Sequence, residues 1–539
     1  MRIKLFLLLL LPLTIKAQTV WENQNNEVYF YLNRLSQKGI IDFQNIIQPV
    51  SRQNISTLLN ELEIKSNQLS EIEKKELHFY QQEFRNIIGE DSANFKLIKK
   101  DENKRLRGLY IHDKKFQLNV DPIVSFMNVT GSRKNFTQVS NGVGFWGQAK
   151  KFGFQFYYRD YTENGKGMDY FRSETSEPSI IKLNNIGETS QNFSEIKGHV
   201  SYTWNNGTIS VGKDHLTWGY GENGRIVLSN RAPSYPYVRF DYNPIKGLYF
   251  NYINAWLNSN LIDSSLSYPT GIGGGSGELR IQYRPKFMAM HSIIYKPLKG
   301  LDISVGESIV YSDKMEIGFL IPINFFKVYD NNKSNYNINA GSNGQLFLQI
   351  SSRNHLKNTH LYGSLFIDEI RLSQMFNKDR SRNQLGYTIG GTITDAFIPY
   401  LTLGGEYTRV NPFVYTNLIA AQSYTQYDLG LGDWMGNNFD REILFVKYTP
   451  IAKLRTYIRY QKIRKGGAGT LAQQYLDKTQ PDFLFNLQKK STDIFIQASY
   501  EFINNLYLTG SYQYLNHKWI NGGNSINTTI QLGITYGLK

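Results

Sequence analysis

Gly219-Tyr220-Gly221-Glu222-Asn223-Gly224 has the spacing G-x-G-x-x-G, which in a dinucleotide site lets the backbone approach a pyrophosphate. That chemistry needs a helix next, with its N-terminus on the phosphates. Here Arg225-Ile226-Val227-Leu228 follows, and Pro233 and Pro236 come soon after, so the glycines read as shaping a loop or bend. The eight histidines are scattered, with no H-E-x-x-H and no i, i+4 pair; His355 and His360 are five apart. No metal site or cofactor is therefore expected. Asp368-Glu369 and Glu406 with nearby Arg409 are the notable carboxylate groupings. A glycosidase holds two carboxyls at a defined separation across a sugar. Adjacent strand residues point to opposite faces, which suits lumen ion pairs that brace a barrel better than hydrolysis. No local serine motif supports a lipase. The chain is expected not to be an enzyme.

The densest run for recognition lies between Trp218 and Phe240. Trp218, Tyr220, Tyr235 and Tyr237 could stack on the apolar faces of sugar rings, while Arg225, Arg231 and Arg239 could pair with uronate or phosphate groups. An equal alternative places the aromatics in an interfacial girdle and the arginines in the lumen wall.

The elements that must position these residues fall into two regions. Within 18–104 the spacing is helical: Val28, Tyr31, Leu32 and Leu35 share a face that Gly39 ends. Ser51 caps a second helix through Ile55, Leu58, Leu59 and Leu62. Ser70-Glu71-Ile72-Glu73 is a capping box for a third, with Leu77, Tyr80 and Phe84 inward. From about 105 to 539 the period becomes two. Phe152, Phe154, Phe156 and Tyr158 form one row. Ile196 to Trp204 form another, turning at Asn205-Asn206-Gly207 into Ile209 and Val211. Ile494 to Phe502 return through Leu506, Leu508, Gly510 and Tyr512, and the chain closes on Ile530, Leu532, Ile534, Tyr536 and Leu538.

Apolar-out, polar-in rows separated alternately by tight turns and long loops such as 159–193 and 464–490 predict an all-β transmembrane barrel behind a small α-helical bundle. At roughly 24 residues per strand with its loop, about 18 antiparallel strands are expected. A string of β-sandwiches would alternate too, but with shorter strands. Many such barrels end in Phe; this one ends Gly537-Leu538-Lys539.

Membrane insertion is consistent with the start of the chain. Met1-Arg2-Ile3-Lys4, an apolar run from Leu5 to Leu13 and Ala17 read as a signal peptide over 1–17, too short to span a bilayer. The longest later apolar stretch, Ile317 to Phe326, is broken by Pro322, so helical spans are excluded. With 37 Tyr, 32 Phe, 45 Gly, 15 Pro and no Cys, the chain has neither disulfides nor a lipoprotein cysteine; its mean hydropathy is −0.41. The formal charge of +15 becomes +12 without Arg2, Lys4 and Lys16. In an exported chain that excess points away from nucleic acid, towards lipopolysaccharide phosphates or acidic glycans.

Several blocks together resemble the Wzi family of capsule-assembly outer-membrane proteins, in its Bacteroidetes-type form. They are Trp218-Gly219-x-Gly221 with Leu228-Ser229, Ala232-Pro233 and Arg239; Leu361-Tyr362-Gly363 with Ile367-Asp368-Glu369; Glu406-Tyr407-Thr408-Arg409-Val410 with Pro412 and Tyr415; and Tyr427 to Asn438 around Leu429-Gly430. Pro49-Val50-Ser51-Arg52 resembles the family's N-terminal bundle. Arg231 departs from the acidic or amide residue expected before Ala232. The resemblance implies a barrel of about 18 strands closed by loops, which tethers capsular or other surface polysaccharide without catalysis. Its partners would be acidic polysaccharide, outer-membrane lipid and lipopolysaccharide, and a periplasmic protein met through the helices. A Wzi-like role in gliding motility or surface secretion, and a diffusion channel, are the alternatives.

Overall fold

The computed structural model describes residues 19–84, 94–100, 105–113, 115–169, 172, 175–180, 183–187, 189–272, 278–334, 341–370, 383–467 and 481–538. The expected signal peptide over 1–17 lies outside them.

Eighteen strands among the described residues close into one antiparallel barrel. They are β1 Phe116–Gly131, β2 Asn135–Ala149, β3 Phe152–Lys166, β4 Ser190–Trp204, β5 Gly207–Asp214, β6 Tyr235–Ile245, β7 Leu248–Ile262, β8 Tyr283–Leu298 and β9 Leu301–Ser312. The ring continues through β10 Asn343–Arg353, β11 Thr359–Ile370, β12 Asn383–Thr394, β13 Leu401–Val410, β14 Phe439–Tyr448, β15 Leu454–Gly466, β16 Leu487–Ile503, β17 Leu506–Trp519 and β18 Asn524–Tyr536. Each pairs with its neighbour in sequence, and β18 closes on β1 with Thr529 opposite Gly131 and Tyr536 opposite Val124.

Side-chain alternation matches that expectation. Phe152, Tyr158, Ile196, Val200, Tyr202, Ile209, Val211, Ile496, Leu508, Ile530, Leu532 and Ile534 are exposed on the outer wall. The intervening lumen rows bury Ser125, Ser140, Gln155, Arg159, His199, Ser201 and Ser210. An apolar exterior on a closed ring is the arrangement hydrocarbon permits, because a barrel pairs its backbone groups between strands and leaves no long edge. The protein is an outer-membrane β-barrel.

Strand structure begins earlier than the period change suggests. A hairpin of Asn94–Lys100 and Leu106–Asp113 falls partly inside the span expected to be helical. Its second strand pairs with the start of β1, Leu109 opposite Val120 and Asp113 opposite Phe116. β18 stops opposite Val124, so Phe116 to Val120 would otherwise be a bare edge. Lysines at 96, 99 and 100 blur the alternation there. Gly537, at φ +98°, then turns the chain end inward. Leu538 is buried there and its carbonyl accepts from Arg159 Nη1 at 3.3 Å, so this terminus is seated in the lumen rather than on the lipid face.

The three helices are α1 Val28–Gln37, α2 Arg52–Ile64 and α3 Glu71–Phe84. Ser51 Oγ accepts from Asn54 N at 3.1 Å, and the Ser70–Glu73 capping box forms in both directions, at 2.6 and 3.3 Å. The expected apolar faces meet in one core that includes Val28, Leu32, Leu59, Leu62, Leu77 and Phe84. This bundle sits at the short-turn end of the barrel, the periplasmic side in such proteins. Gln37 Nε2 donates to Asn358 O at 2.7 Å, Lys296 meets Asp42 at 2.7 Å, and Asn504 Nδ2 donates to Phe79 O at 3.1 Å.

Docking is chiefly ionic. Buried Glu83 meets Arg105 at 2.7 Å, Arg52 at 3.0 Å and Arg107 at 3.2 Å, and Asp121 of β1 takes both Arg105 and Arg107. Burial pushes the Glu83 carboxyl up, but Arg105, Arg107 and Arg52 outweigh it and hold it well below the usual carboxylate range.

The lumen is filled. Two connections, 215–234 and 411–438, fold inward and meet each other, and the first also meets a strand of the N-terminal region, where Ile47 pairs with Trp218 and Gln48 with Thr217. Ser229 N donates to Leu431 O at 2.7 Å, Tyr415 Oη to Ile226 O at 2.7 Å and Tyr424 Oη to Val227 O at 2.9 Å. Trp218, Leu228, Tyr235, Tyr237, Met288, Met290, Phe347, Phe366, Tyr415, Tyr424 and Leu431 form one packed core within the ring.

Outside the ring, Ile317–Leu320 and Phe326–Ser334 are helical, interrupted at Pro322. Phe319 and Phe326 cover the outward-facing Tyr252, Phe287, Ala289, Ile309 and Tyr311. Glu307 accepts from Phe326 N at 2.6 Å, and His291 Nδ1 lies 2.8 Å from Pro322 O.

Two substitutions test these contacts. Glu83→Gln leaves buried Arg105 and Arg107 and half-buried Arg52 short of a counter-charge, so docking should lose roughly 3–5 kcal/mol. Limited proteolysis should then cleave the helical bundle faster while the barrel resists. In the unsubstituted protein the Glu83 contribution is present at neutral pH and is lost only as pH falls below the usual carboxylate range. Trp218→Ala should cost about 3–5 kcal/mol through the cavity it leaves. The temperature at which the folded band disappears from a heat-shift gel should fall accordingly.

Candidate functional site

The tall strands β1 to β4 and the ends of β17 and β18 surround polar cavities at the long-loop end. One, of about 350 Å³, is lined by Arg133, Lys134, Gln138, Asp169, Arg172 and Asn527 among others. A second, of about 250 Å³, is lined by Arg159, Tyr161, Arg172, Phe193, Lys197 and Lys213 among others. Arg172, Gln138 and Glu177 belong to both.

Strand alternation sets this lining. Odd positions of β3 and β4 face the lumen, which brings Tyr161 and Phe193 opposite each other as stacked rings 4.6 Å apart. Arg159 lies over the Tyr161 ring at 4.8 Å. Fully buried Glu163 holds Arg172 at 2.6 Å and accepts from Gln138 at 2.6 Å, and Gln191 donates to its other oxygen. Lys197 pairs with Glu195 at 2.9 Å. His215, on the inward loop beside them, is pushed down to about 3 by burial and then by Lys197, so it is neutral at ordinary pH. Exposed Arg133 and half-buried Lys134 rim the larger cavity. Cations, amides and an aromatic shelf can hold a polyhydroxylated anion by charge-assisted hydrogen bonds and ring stacking.

The aromatic-basic run lies elsewhere. Trp218, Tyr220, Tyr235 and Tyr237 are buried in the lumen plug, where Trp218 packs edge-on to Phe347 and Tyr220 against Tyr362. Arg225 Nε donates to Gly219 O at 2.9 Å, within its own loop. Arg239 pairs with Asp241 at 2.7 Å, donates to Pro49 O at 3.0 Å and lies 3.8 Å over the Trp21 ring, so it ties the barrel to the N-terminal region. Arg231 lines neither cavity but braces their wall: its Nη1 donates to Glu177 O at 3.1 Å and to Ser179 Oγ, holding a segment that lines the smaller one. The glycines of the G-x-G-x-x-G run serve the plug. A Cβ on Gly224, at φ +135°, would stand 2.3 Å from Asp433 Oδ2, beside the buried Asp433–Arg441 ion pair.

Glu406 and Arg409, both expected among lumen ion pairs, do not share the lumen. Three residues apart on β13, the two side chains leave opposite faces of the wall. Inside, Glu406 accepts from Tyr362 Oη at 2.7 Å and from Glu222 N at 2.8 Å. Outside, Arg409 donates to Asn411 at 3.1 Å and lies over the Phe483 ring at 3.7 Å. Asp368 sits in a register shift of β11 and accepts from Tyr415 N at 2.7 Å and Gln345 Nε2 at 3.2 Å. Glu369 faces Gln384 across the sheet. Glu406 and Asp368 thus anchor inward loops rather than joining arginine pairs across the lumen. Sequence reading missed Arg133, Arg159, Glu163 and Arg172. The odd-numbered row Arg159-Tyr161-Glu163 was the available signal, but it lies beside the louder apolar row Phe152 to Tyr158. Among the described residues no cluster of three or more His, Asp or Glu could hold a metal ion.

Comparison with known proteins agrees with this architecture. The capsule assembly protein Wzi family matches residues 127–312, from β1 to the end of β9, with the first inward loop and most of the cavity lining. Among solved structures, the Escherichia coli Wzi structure is described as an outer-membrane protein involved in group 1 capsule assembly and a carbohydrate-binding β-barrel. It aligns over 97% of this chain and 100% of its own at 12% identity and a TM-score of 0.61. OccAB1 of Acinetobacter baumannii covers 78% of this chain and 96% of its own at 11% identity and a TM-score of 0.43. OccK5 of Pseudomonas aeruginosa covers 78% and 98% at 10% identity and a TM-score of 0.40. No curated protein sequence matches. Residues 127–312 carry the sequence pattern of the Wzi capsule-assembly family, and the barrel around them has the Wzi fold.

Proposed function

We propose that this protein is a non-catalytic outer-membrane anchor for acidic surface polysaccharide. The observation that carries the reading is the Wzi family match over 127–312, because that span supplies most of the cation-bearing cavity lining at the outer end of the barrel. The Escherichia coli protein of the same fold is described as carbohydrate-binding. The packed lumen supports holding over transport, since the core around Trp218 lies where a solute would have to pass.

In this reading Arg133, Lys134 and Arg172 meet carboxylate or phosphate groups of the glycan, and the Tyr161–Phe193 pair offers a ring face. Glu163 orients Arg172 and offsets part of its charge. Such contacts lie near water and weaken with salt.

Cells lacking the protein should shed polysaccharide into the medium while total synthesis continues. Arg133→Gln with Lys134→Gln should lower the cell-associated fraction several-fold without changing the amount of folded barrel. Polysaccharide assayed in washed cells and in supernatant checks both, and an unchanged cell-bound fraction in the deletion strain contradicts the reading.

A further inference from the structure

The outer wall carries a second charged surface, apart from the lumen and its cavities. Across β13 to β17 the register sets Arg409 opposite Asp440, Asp440 opposite Arg464, Arg464 opposite Lys490 and Lys490 opposite Lys518. All five lie on the outward face of the barrel. One row below stand Tyr407, Glu442, Lys462, Thr492 and Asn516; below that the wall turns apolar, through Leu444, Tyr460, Ile494 and Tyr514 to Ile458, Ile496 and Tyr512. The cations therefore crown the lipid-facing belt at its outer end, where headgroups begin. Four inter-strand spacings make the upper row about 19 Å wide.

Like charges directly opposite each other across a sheet are destabilising, yet Arg464, Lys490 and Lys518 succeed one another on three adjacent strands. Asp440 offsets one of them, accepting from Arg464 Nε at 2.9 Å. Lys490 and Lys518 are exposed and meet no carboxylate among the described residues. Arg409 is held in place by its stack on Phe483. On β1 to β3 the corresponding outer rows, Thr130, Asn135 and Lys166 with Asn128, Thr137 and Asn164 below, carry a single cation, Lys166. Three successive cations on adjacent strands occur at β15 to β17 and not at β1 to β3.

We propose that the face formed by Arg409, Arg464, Lys490 and Lys518, with Lys462 below, binds the phosphorylated headgroup of an outer-leaflet glycolipid whose acyl chains lie along the apolar rows beneath. A lipid phosphate relieves the repulsion between neighbouring cations, and only a molecule with both an anionic head and hydrocarbon tails matches both parts of the surface. An acidic polysaccharide has no counterpart for the apolar rows.

The test uses the full-length protein in detergent, with diphosphoryl lipid A as the probe and native mass spectrometry as the readout. Arg464→Gln, Lys490→Gln and Lys518→Gln together should weaken binding about a hundredfold, at roughly fivefold per cation removed. The charge-preserving pair Lys490→Arg and Lys518→Arg should retain it, which separates loss of charge from loss of fold. Dephosphorylated lipid A should bind poorly, and millimolar inorganic phosphate should not displace the lipid. Cells carrying the triple variant should keep their polysaccharide, because the cavities are on the other side of the wall. Equal lipid A affinity in the triple variant, or equal affinity for the dephosphorylated lipid, overturns the proposal. So does loss of polysaccharide retention with lipid A binding intact.

Discussion

Closure of β18 on β1 is the constraint from which the rest of the molecule follows. A sheet in hydrocarbon cannot leave an edge, because each unpaired amide or carbonyl there costs several kcal/mol with no water to compensate. The eight residues of β18 from Thr529 to Tyr536 pair with Val124 to Gly131 and remove that edge over the outer half of the wall. The Leu106–Asp113 strand removes it below, against the start of β1. Only with the seam closed can the outer face carry a continuous apolar belt and the inner wall a polar one.

A ring of eighteen strands encloses more space than the wall side chains alone can fill. This protein fills it with chain. The 215–234 connection begins unusually low because β5 is only eight residues long, so the chain turns inward at Asp214 and packs against the N-terminal strand at Ile47–Gln48. The 411–438 connection follows and is fixed by the buried Asp433–Arg441 pair. Together with the helical bundle on the periplasmic side, these segments stop the lumen at two levels. What remains open is the outer end between β1 to β4, β17 and β18, where the strands rise above the plug and line the polar cavities.

Much of the fold was legible in the sequence because it depends on local periodicity. The two-residue alternation at Phe152–Tyr158 and Ile530–Tyr536 marked barrel strands, although which aromatic rows meet lipid is seen only in the closed ring, and the Ser51 and Ser70–Glu73 caps marked helix starts that the structure reproduces. The 94–113 hairpin escaped because its reason lies in the position of β18, more than 400 residues away in sequence. Site residues were harder for a related cause. Trp218, Tyr235 and Arg239 have the composition of a recognition loop, but whether such a loop faces solvent or fills a lumen is decided by the length of β5 and by the segment it meets. Glu406 and Arg409 are near in sequence and on opposite sides of the wall, which follows from strand parity once the residues are known to be in a strand. Arg133 and Arg172 are ordinary residues until β1 to β4 stand side by side.

Single-channel recording on the purified full-length protein in planar bilayers tests the central claim most directly. A lumen occupied by the 215–234 and 411–438 connections and capped by the helices should give no steady conductance steps at moderate voltage. A stable open level, present in most insertions of the unsubstituted protein, would contradict the account.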